Sequence, residues 1–346
     1  MCTTWCGGVI PLHRAVLAVV TLLVVFLPLT VFSSQSSLVV IVTAPSLVGD
    51  VSIIASSCGD VVISLVPPGV DIHEYQLTSR DLELLRTANL VVSTGHTSFE
   101  LKIKELAERG ELNVTVLDVL EIPGLKPSVN PVTNQLNYHM PVKDPVNYLL
   151  FTSRLTRVLA ELNPSKAECY YSNYFRVLDE VYSKILVYRD EYNGLVVVDT
   201  PHAQYYVEWM GFNVAWILKY EEEVPVTAES LEKVRELLSS GHVKLLVVTE
   251  GFPGEALLVE EAGKYGVPVI VVPHPSSDTS VLEGLHRVVS QLEELRLERD
   301  RSAGISAVKR EDYTSVLYVT LAFTSGVVVG VILSELYKRW RVWRLR

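Results

Sequence analysis

Eight histidines are the residues of this 346-residue chain whose types and spacing could do chemistry. Neutral imidazole is a nitrogen donor that suits Zn²⁺, and three or four such side chains complete a tetrahedral site. Four of the histidines follow predicted strands: His73, His139, His202 and His274. Ligands of open α/β sheets bind beyond the carboxyl ends of the strands, so we expect these four side chains to meet in one cleft.

The other histidines are interpreted without a metal. His13 lies in the leader, and His242 stands at a turn, where it is solvated. His286 belongs to a helix face. His96 follows the third predicted strand, but we interpret it as a loop residue or as one that supports a ligand through a hydrogen bond.

The elements that must position these side chains come in two similar halves. Short β-branched runs alternate with helical patterns, and their nearly continuous apolar composition indicates parallel strands covered by helices. The predicted strands are Leu38–Thr43, Val61–Val66, Asn89–Ser93, Val114–Val119, Leu195–Asp199, Phe212–Leu218, Val243–Thr249 and Pro268–Val272. Between the halves, residues 165–192 contain no glycine or proline and predict one helix about 42 Å long. We therefore predict an α/β fold of two four-stranded parallel-sheet lobes joined by one long linker helix, with terminal membrane segments.

Two apolar runs lie outside this body. Ala15–Phe32 is uncharged, follows His13-Arg14 and leads into a serine-rich stretch, which is typical of a signal peptide or an uncleaved signal anchor. Thr314–Leu333 matches the thickness of a bilayer core and is followed by five basic residues. We therefore expect a protein of the cell membrane whose body is extracytoplasmic and whose C-terminal tail is cytoplasmic.

These patterns divide the chain into segments. They are a signal peptide or signal anchor (1–36), an N-terminal metal-binding lobe (37–163), the linker helix (164–192), a C-terminal metal-binding lobe (193–300), a stalk (301–313), a transmembrane helix (314–333) and a basic cytoplasmic tail (334–346). The formal net charge is −10 and the body is acidic, which argues against nucleic acid as a partner. The sequence does not decide whether Cys58 and Cys169 pair, and we expect two separate buried thiols.

Several segments resemble those of zinc- and manganese-binding proteins of ABC importers, the TroA-like solute-binding proteins. The matching segments are Pro67–Tyr75 (PPGVDIHEY), Thr78–Asp81, Ala88–Val92, Gly95 with Glu100, His139 with Asp144-Pro145, Leu162–Pro164 with Tyr171 and Asn173, His202-Ala203 with Tyr205-Tyr206 and Gly211, and Glu250–Phe252. They follow the order and spacing of that family over most of residues 38–275.

The resemblance implies a metal-capture protein without turnover chemistry. It places the first three ligands on His73, His139 and His202 and the fourth just past the last strand, where His274 and Asp278 both remain candidates with a slight preference for His274. Histidine ligands favour Zn²⁺ over Mn²⁺ as the transported ion. The implied partners are an ABC permease and its ATPase. Capture is expected to weaken in acid, as the three ligand histidines protonate.

Two other functions fit a histidine-lined cleft. One is a membrane-tethered zinc-dependent hydrolase, in which Glu74 or Glu250 would be the base; the absence of HExxH and GxSxG motifs speaks against it. The other is a receptor for an organic or metal-chelate ligand on the same fold, because a fold does not fix a function.

Overall fold

Two four-stranded parallel sheets form the framework of the protein. The computed structural model describes residues 37–220 and 225–298. The first sheet contains β1 (Val39–Val42), β2 (Val61–Ser64), β3 (Leu90–Ser93) and β4 (Thr115–Asp118) in the order β2-β1-β3-β4. The second contains β5 (Leu195–Val198), β6 (Asn213–Ile217), β7 (Val243–Thr249) and β8 (Val269–Val272) in the order β6-β5-β7-β8. The prediction of two parallel four-stranded sheets is confirmed, and the strand ends agree within two residues.

Helices cover the sheets and connect their strands. They are α1 (Val48–Ala55), α2 (Ser79–Leu85), α3 (Ser98–Glu108), α4 (Pro145–Leu162), α5 (Ala167–Tyr188), α6 (Gln204–Glu208), α7 (Ala228–Ser239), α8 (Glu255–Lys264) and α9 (residues 281–298). In each sheet the chain leaves the first strand toward one neighbour and later returns on its other side. The crevice at such a reversal is the usual ligand site of an open parallel sheet.

The linker helix is shorter than the sequence predicts. α5 has 22 residues and ends at Tyr188, so it is about 33 Å long rather than 42 Å. The helix stops because Asp190 has a positive φ of 55° and the backbone N–H groups of Asp190 and Tyr192 donate to Trp209 and Met210 carbonyls. These contacts with the second lobe replace the helical bonds that the local sequence would allow.

One apolar core runs through both lobes. It joins residues of the first sheet to residues of the second through buried side chains of α4 and α5, such as Phe151 and Val181. Asp50 of α1 is fully buried beside this core, where its carboxylate accepts hydrogen bonds from the Tyr148 hydroxyl and from the N–H groups of Val281 and Leu282. The lobes are therefore joined by packing and by buried polar contacts as well as by the linker.

The expectation of two separate thiols is wrong. Cys58 and Cys169 form a disulfide whose Cα atoms are 5.9 Å apart. Cys58 ends the short 3₁₀ turn after α1, and Cys169 lies in the first turn of α5, which packs beside it. The spatial neighbourhood of the two cysteines comes from this helix packing, which their sequence separation of 111 residues does not reveal.

The expected membrane segments lie outside the described residues. They are the signal peptide or signal anchor (1–36) and the transmembrane helix (314–333), together with the stalk and the basic tail. Within residues 37–220 and 225–298, we find no helix with the length and apolar character needed to cross a bilayer.

Candidate metal centre

A cavity of about 550 Å³ lies at the carboxyl ends of the strands. Loops that follow strands of both sheets line it. The four histidines expected to meet all line this cavity, and His96 joins them. The cavity wall therefore carries five imidazoles, three from the first lobe and two from the second.

Three of these imidazoles form a tight cluster. One ring nitrogen of each of His73, His96 and His139 lies within 4.8 Å of those of the other two. In a tetrahedral zinc site with Zn–N bonds of about 2.0 Å, neighbouring nitrogens are about 3.3 Å apart, so small side-chain rotations would bring the three to binding distance. In the described part of the chain, this is the group of potential metal ligands gathered most closely.

His73 is delivered by a stiff loop after β2. Two prolines restrict the start of this loop, and Gly69 follows them with a φ of 82°, a conformation that glycine adopts without strain. The Gly69 N–H donates to the Ser276 carbonyl of the second lobe at 2.7 Å, and the His73 N–H donates to Asp71 Oδ1 at 2.9 Å. The loop is thereby held between the lobes.

His96 follows β3 and is oriented by a buried carboxylate. Glu100, 1% exposed, accepts hydrogen bonds from the backbone N–H and the hydroxyl of Thr94, and Thr94 Oγ1 lies 3.0 Å from His96 Nδ1. Burial raises the pKa of Glu100, but the charge of His96 and the hydrogen bonds of Thr43 and Thr94 outweigh it, so the pKa lies below its ordinary value. Glu100 is thus a carboxylate and can only accept.

His139 is oriented by Asn137 in the loop that follows β4. The Asn137 side-chain N–H group donates to the Pro201 carbonyl at 2.7 Å and to Gln204 Oε1 at 2.9 Å, which fixes the amide orientation. Its oxygen therefore faces His139, at 3.0 Å from the backbone N–H and 3.2 Å from Nδ1. Because an amide oxygen only accepts, Nδ1 carries the proton and Nε2 keeps its lone pair.

His202 lines the same cavity from the second lobe and is 1% exposed. Its Nδ1 is 3.2 Å from Thr200 Oγ1, and its Nε2 is 3.4 Å from Thr249 Oγ1. Both hydroxyls also donate to the buried carboxylate of Asp199. Hydroxyl groups of the protein therefore face both ring nitrogens of His202 in this conformation.

The two candidates for the fourth ligand differ in position. His274 lines the cavity, and its Nδ1 accepts the Ser276 N–H at 3.1 Å, which puts the proton of the neutral ring on Nε2. Asp278 is exposed and is not among the described residues that line the cavity.

The cavity keeps its buried imidazoles neutral. Burial lowers the pKa of His139 to about 3, and the charges of His96, His73 and Lys219 act in the same direction. Burial also lowers the pKa of His202 well below its ordinary value, together with the charges of Lys143 and His274. Neutral imidazole is the form that binds a metal. In the metal-free chain His139 therefore stays neutral far below the pH at which the sequence leads us to expect its protonation.

From the sequence we interpret His96 as a loop residue or a residue that supports a ligand, and not as a ligand itself. Its position nevertheless carries the same signal as that of the other histidines. His96 also follows the carboxyl end of a strand, beside the reversal of strand order where ligands of open sheets bind. The family that the sequence resembles has no metal ligand at this position, and for that reason the sequence does not lead us to assign one to His96.

The comparisons with known proteins concern the family and the fold. Residues 40–287 match the sequence profile of the family described as zinc-uptake complex component A, periplasmic. The fold is similar to that of the solute-binding protein FpvC from Pseudomonas aeruginosa, solved with Mn²⁺, with a TM-score of 0.61 and 18% identity over 75% of this chain and 97% of that one. It is also similar to ZnuA, with a TM-score of 0.59 and 19% identity over 74% of this chain and 97% of that one.

A third similar structure is a Mn-bound mutant of a periplasmic metal-binding protein from Candidatus Liberibacter asiaticus. Its TM-score is 0.58 and its identity 19%, over 75% of this chain and 99% of that one. At these identities the structural likeness establishes the fold alone, whereas the profile match extends over most of the chain. The matched family consists of metal-binding proteins, which speaks against the hydrolase alternative. The chain belongs to the family of periplasmic zinc-uptake complex component A proteins.

Proposed function

We propose that this protein captures Zn²⁺, or less favourably Mn²⁺, in the histidine-lined cavity and delivers it to an ABC permease driven by an ATPase. The observation that carries the proposal is the cluster of three imidazole nitrogens within 4.8 Å of one another. Imidazole is a good ligand for zinc, whereas manganese prefers oxygen donors. Solved structures of similar fold hold Mn²⁺, Ni²⁺ and zinc.

The ligands proposed from the sequence are His73, His139 and His202, with His274 or Asp278 in the fourth place. His73 and His139 are supported by their proximity in the first lobe. His202 and His274 are supported by their place in the lining of the same cavity, to which the second lobe contributes them. Of the two fourth candidates, the lining favours His274 over the exposed Asp278.

The body of the protein is proposed to work outside the cytoplasm, tethered by residues 314–333. The disulfide between Cys58 and Cys169 supports the location, because disulfides persist in oxidising compartments. The apolar composition of residues 314–333 and the basic residues after them support the tether and a cytoplasmic tail.

Release is proposed to use small movements of the loops around the cavity. The core that runs through both lobes and the buried contacts of Asp50 resist a wide opening of the cleft. A permease that contacts the loops after the strands would then draw the ligands apart by the small distances that separate bound from unbound geometry.

Calorimetric titration of the purified full-length chain with Zn²⁺ and with Mn²⁺ tests the proposal. We expect one tight Zn²⁺ site and weaker Mn²⁺ binding. Replacing His73 and His139 together by alanine should abolish tight Zn²⁺ binding, whereas the His242→Ala control, outside the cavity and exposed, should leave it unchanged. Equal Zn²⁺ affinity in the double variant and the control would refute the proposed site.

A further inference from the structure

His96 occupies the place that a third ligand from the first lobe would occupy. Its ring centroid lies 5.1 Å from that of His73 and 5.3 Å from that of His139, and the three ring nitrogens are mutually close. No motif of the sequence analysis assigns a metal to this residue. Its hydrogen bonds determine which of its ring nitrogens keeps a lone pair.

The proton of the neutral His96 ring is placed by the chain from Glu100 to Thr94. The Thr94 hydroxyl donates to the Glu100 carboxylate at 2.7 and 2.8 Å, so its hydrogen is not available to His96. Its oxygen can then only accept from His96 Nδ1, which lies 3.0 Å away. Nδ1 therefore carries the proton, and Nε2 is left as the donor atom. A carboxylate that orients a histidine in this way is typical of metal sites, here with a hydroxyl in between.

His139 is held in the same tautomer, with the proton on Nδ1, by Asn137. Asn137 accepts from its Nδ1 and leaves Nε2 with a lone pair. Two of the three clustered imidazoles are thus held by hydrogen bonds in the tautomer that binds a metal through Nε2, before any ion is present. Holding ligands in their bound orientation lowers the entropic cost of binding.

The two histidines of the second lobe do not belong to this cluster. Hydroxyl groups of Thr200 and Thr249 face both ring nitrogens of His202, and the buried carboxylate of Asp199 holds these hydroxyls. His274 uses Nδ1 to accept the Ser276 N–H, so its neutral ring presents an N–H at Nε2 rather than a lone pair. His274 must exchange this hydrogen bond before it can bind an ion through Nε2. The hydroxyls that face His202 have given their hydrogens to Asp199, so its neutral ring keeps one nitrogen with a lone pair.

We propose that His96 is a metal ligand and that the first lobe alone holds the ion, through His73, His96 and His139. This inference rests on the proposed function and changes the ligand set within it. The fourth place of the tetrahedron faces the cavity, where His202 or His274 of the second lobe then joins the ion. Capture is therefore ordered, with the first lobe binding before the second.

X-ray absorption of Zn²⁺ bound to the full-length chain, together with calorimetric titration, tests the role of His96. We expect His96→Ala to remove one imidazole from the zinc coordination shell. We also expect it to weaken Zn²⁺ binding by at least about 100-fold, the upper limit of the 10–100-fold loss that a supporting residue causes. His202→Ala should still bind Zn²⁺ through the three imidazoles of the first lobe. The exposed His242→Ala serves as the matched control and should equal the wild type.

A second variant keeps the test decisive if His96→Ala fails to fold. Thr94→Val retains His96 but removes the oxygen that accepts from its Nδ1, so Zn²⁺ affinity should fall by about 10–100-fold. Unchanged affinity and an unchanged imidazole count in His96→Ala, or unchanged affinity in a folded Thr94→Val, would overturn the role of His96. Loss of all Zn²⁺ binding in His202→Ala would overturn the first-lobe site. A wild-type chain that binds no Zn²⁺ would instead refute the proposed function itself.

Discussion

Asn137 connects the imidazole cluster of His73, His96 and His139 to the second lobe, and its replacement should reveal its effects on metal binding and on stability. The residue is 3% exposed, and its side chain makes four hydrogen bonds, two from its amide nitrogen and two to its amide oxygen. Asn137→Leu keeps a similar volume but leaves the buried acceptors of Pro201 and Gln204 without these donors. At about 1–3 kcal/mol for each unsatisfied buried acceptor, the free energy of unfolding should fall by about 2–6 kcal/mol.

The same change should weaken metal binding. His139 loses the acceptor that fixes its ring, and losses of this kind cost about 10–100-fold in affinity. Asn137→Asp separates the two roles, because it keeps an oxygen that accepts from His139 but brings a carboxylate toward the acceptors of Pro201 and Gln204. We therefore expect Asn137→Asp to retain Zn²⁺ affinity better than Asn137→Leu while losing stability.

Urea denaturation of the metal-free chain and calorimetric titration with Zn²⁺ measure the two effects. Asn193→Leu, at an exposed position just before β5, is the matched control and should change neither quantity appreciably. The reasoning would be refuted if Asn137→Leu bound Zn²⁺ as tightly as the wild type, or if Asn137→Asp lost more affinity than Asn137→Leu.

Three further predictions concern stability. Burial raises the pKa of Asp50 from 3.8 to about 6. The contribution of Asp50 to the free energy of unfolding is therefore fully present below pH 4, and about 3 kcal/mol of it is lost as the pH rises through 6. In urea denaturation Asp50→Asn should abolish this loss, and an unchanged pH profile of the variant would contradict the prediction. Burial lowers the pKa of His139 to about 3, so the contribution of its neutral ring to the free energy of unfolding is present above pH 6.5 and is lost in acid. His139→Gln should reduce the slope of the free energy of unfolding against pH between pH 6 and 4 by about 1.4 kcal/mol per pH unit. An equally steep slope in the variant would be the contrary result. Replacing Cys58 and Cys169 by serine should lower the free energy of unfolding by about 2–5 kcal/mol, whereas equal denaturation midpoints in the oxidised wild type and the variant would show that the disulfide adds no stability.

Much of the fold could be predicted from the sequence because its signals are local. Apolar runs such as those of β5 and β7 are buried on both sides, so their composition alone marks them as strands of a covered parallel sheet. The start of α2 was also predictable, since Thr78 and Asp81 form the capping box that their spacing indicates. The end of α5 was not, because contacts with residues far along the chain determine it.

The site was predictable in position but less so in composition. That His73, His139, His202 and His274 line one cavity follows from the strands that precede them. The closeness of His96 depends on how the loop after β3 is folded by Glu100, whose carboxylate gathers backbone and hydroxyl donors from residues 94–97. Such a network involves burial and side-chain direction, which residue spacing does not specify. The disulfide between Cys58 and Cys169 could not be predicted either, because it depends on helix packing, which residue spacing does not specify.

The contacts of Asp50 fix the start of α9 to the first lobe. The first N–H groups of this helix are capped by a carboxylate that lies 231 positions earlier in the chain, on α1 of the opposite lobe. A rotation between the lobes would therefore pivot α9 at its first turn and swing its far end, about 27 Å away at 1.5 Å per residue.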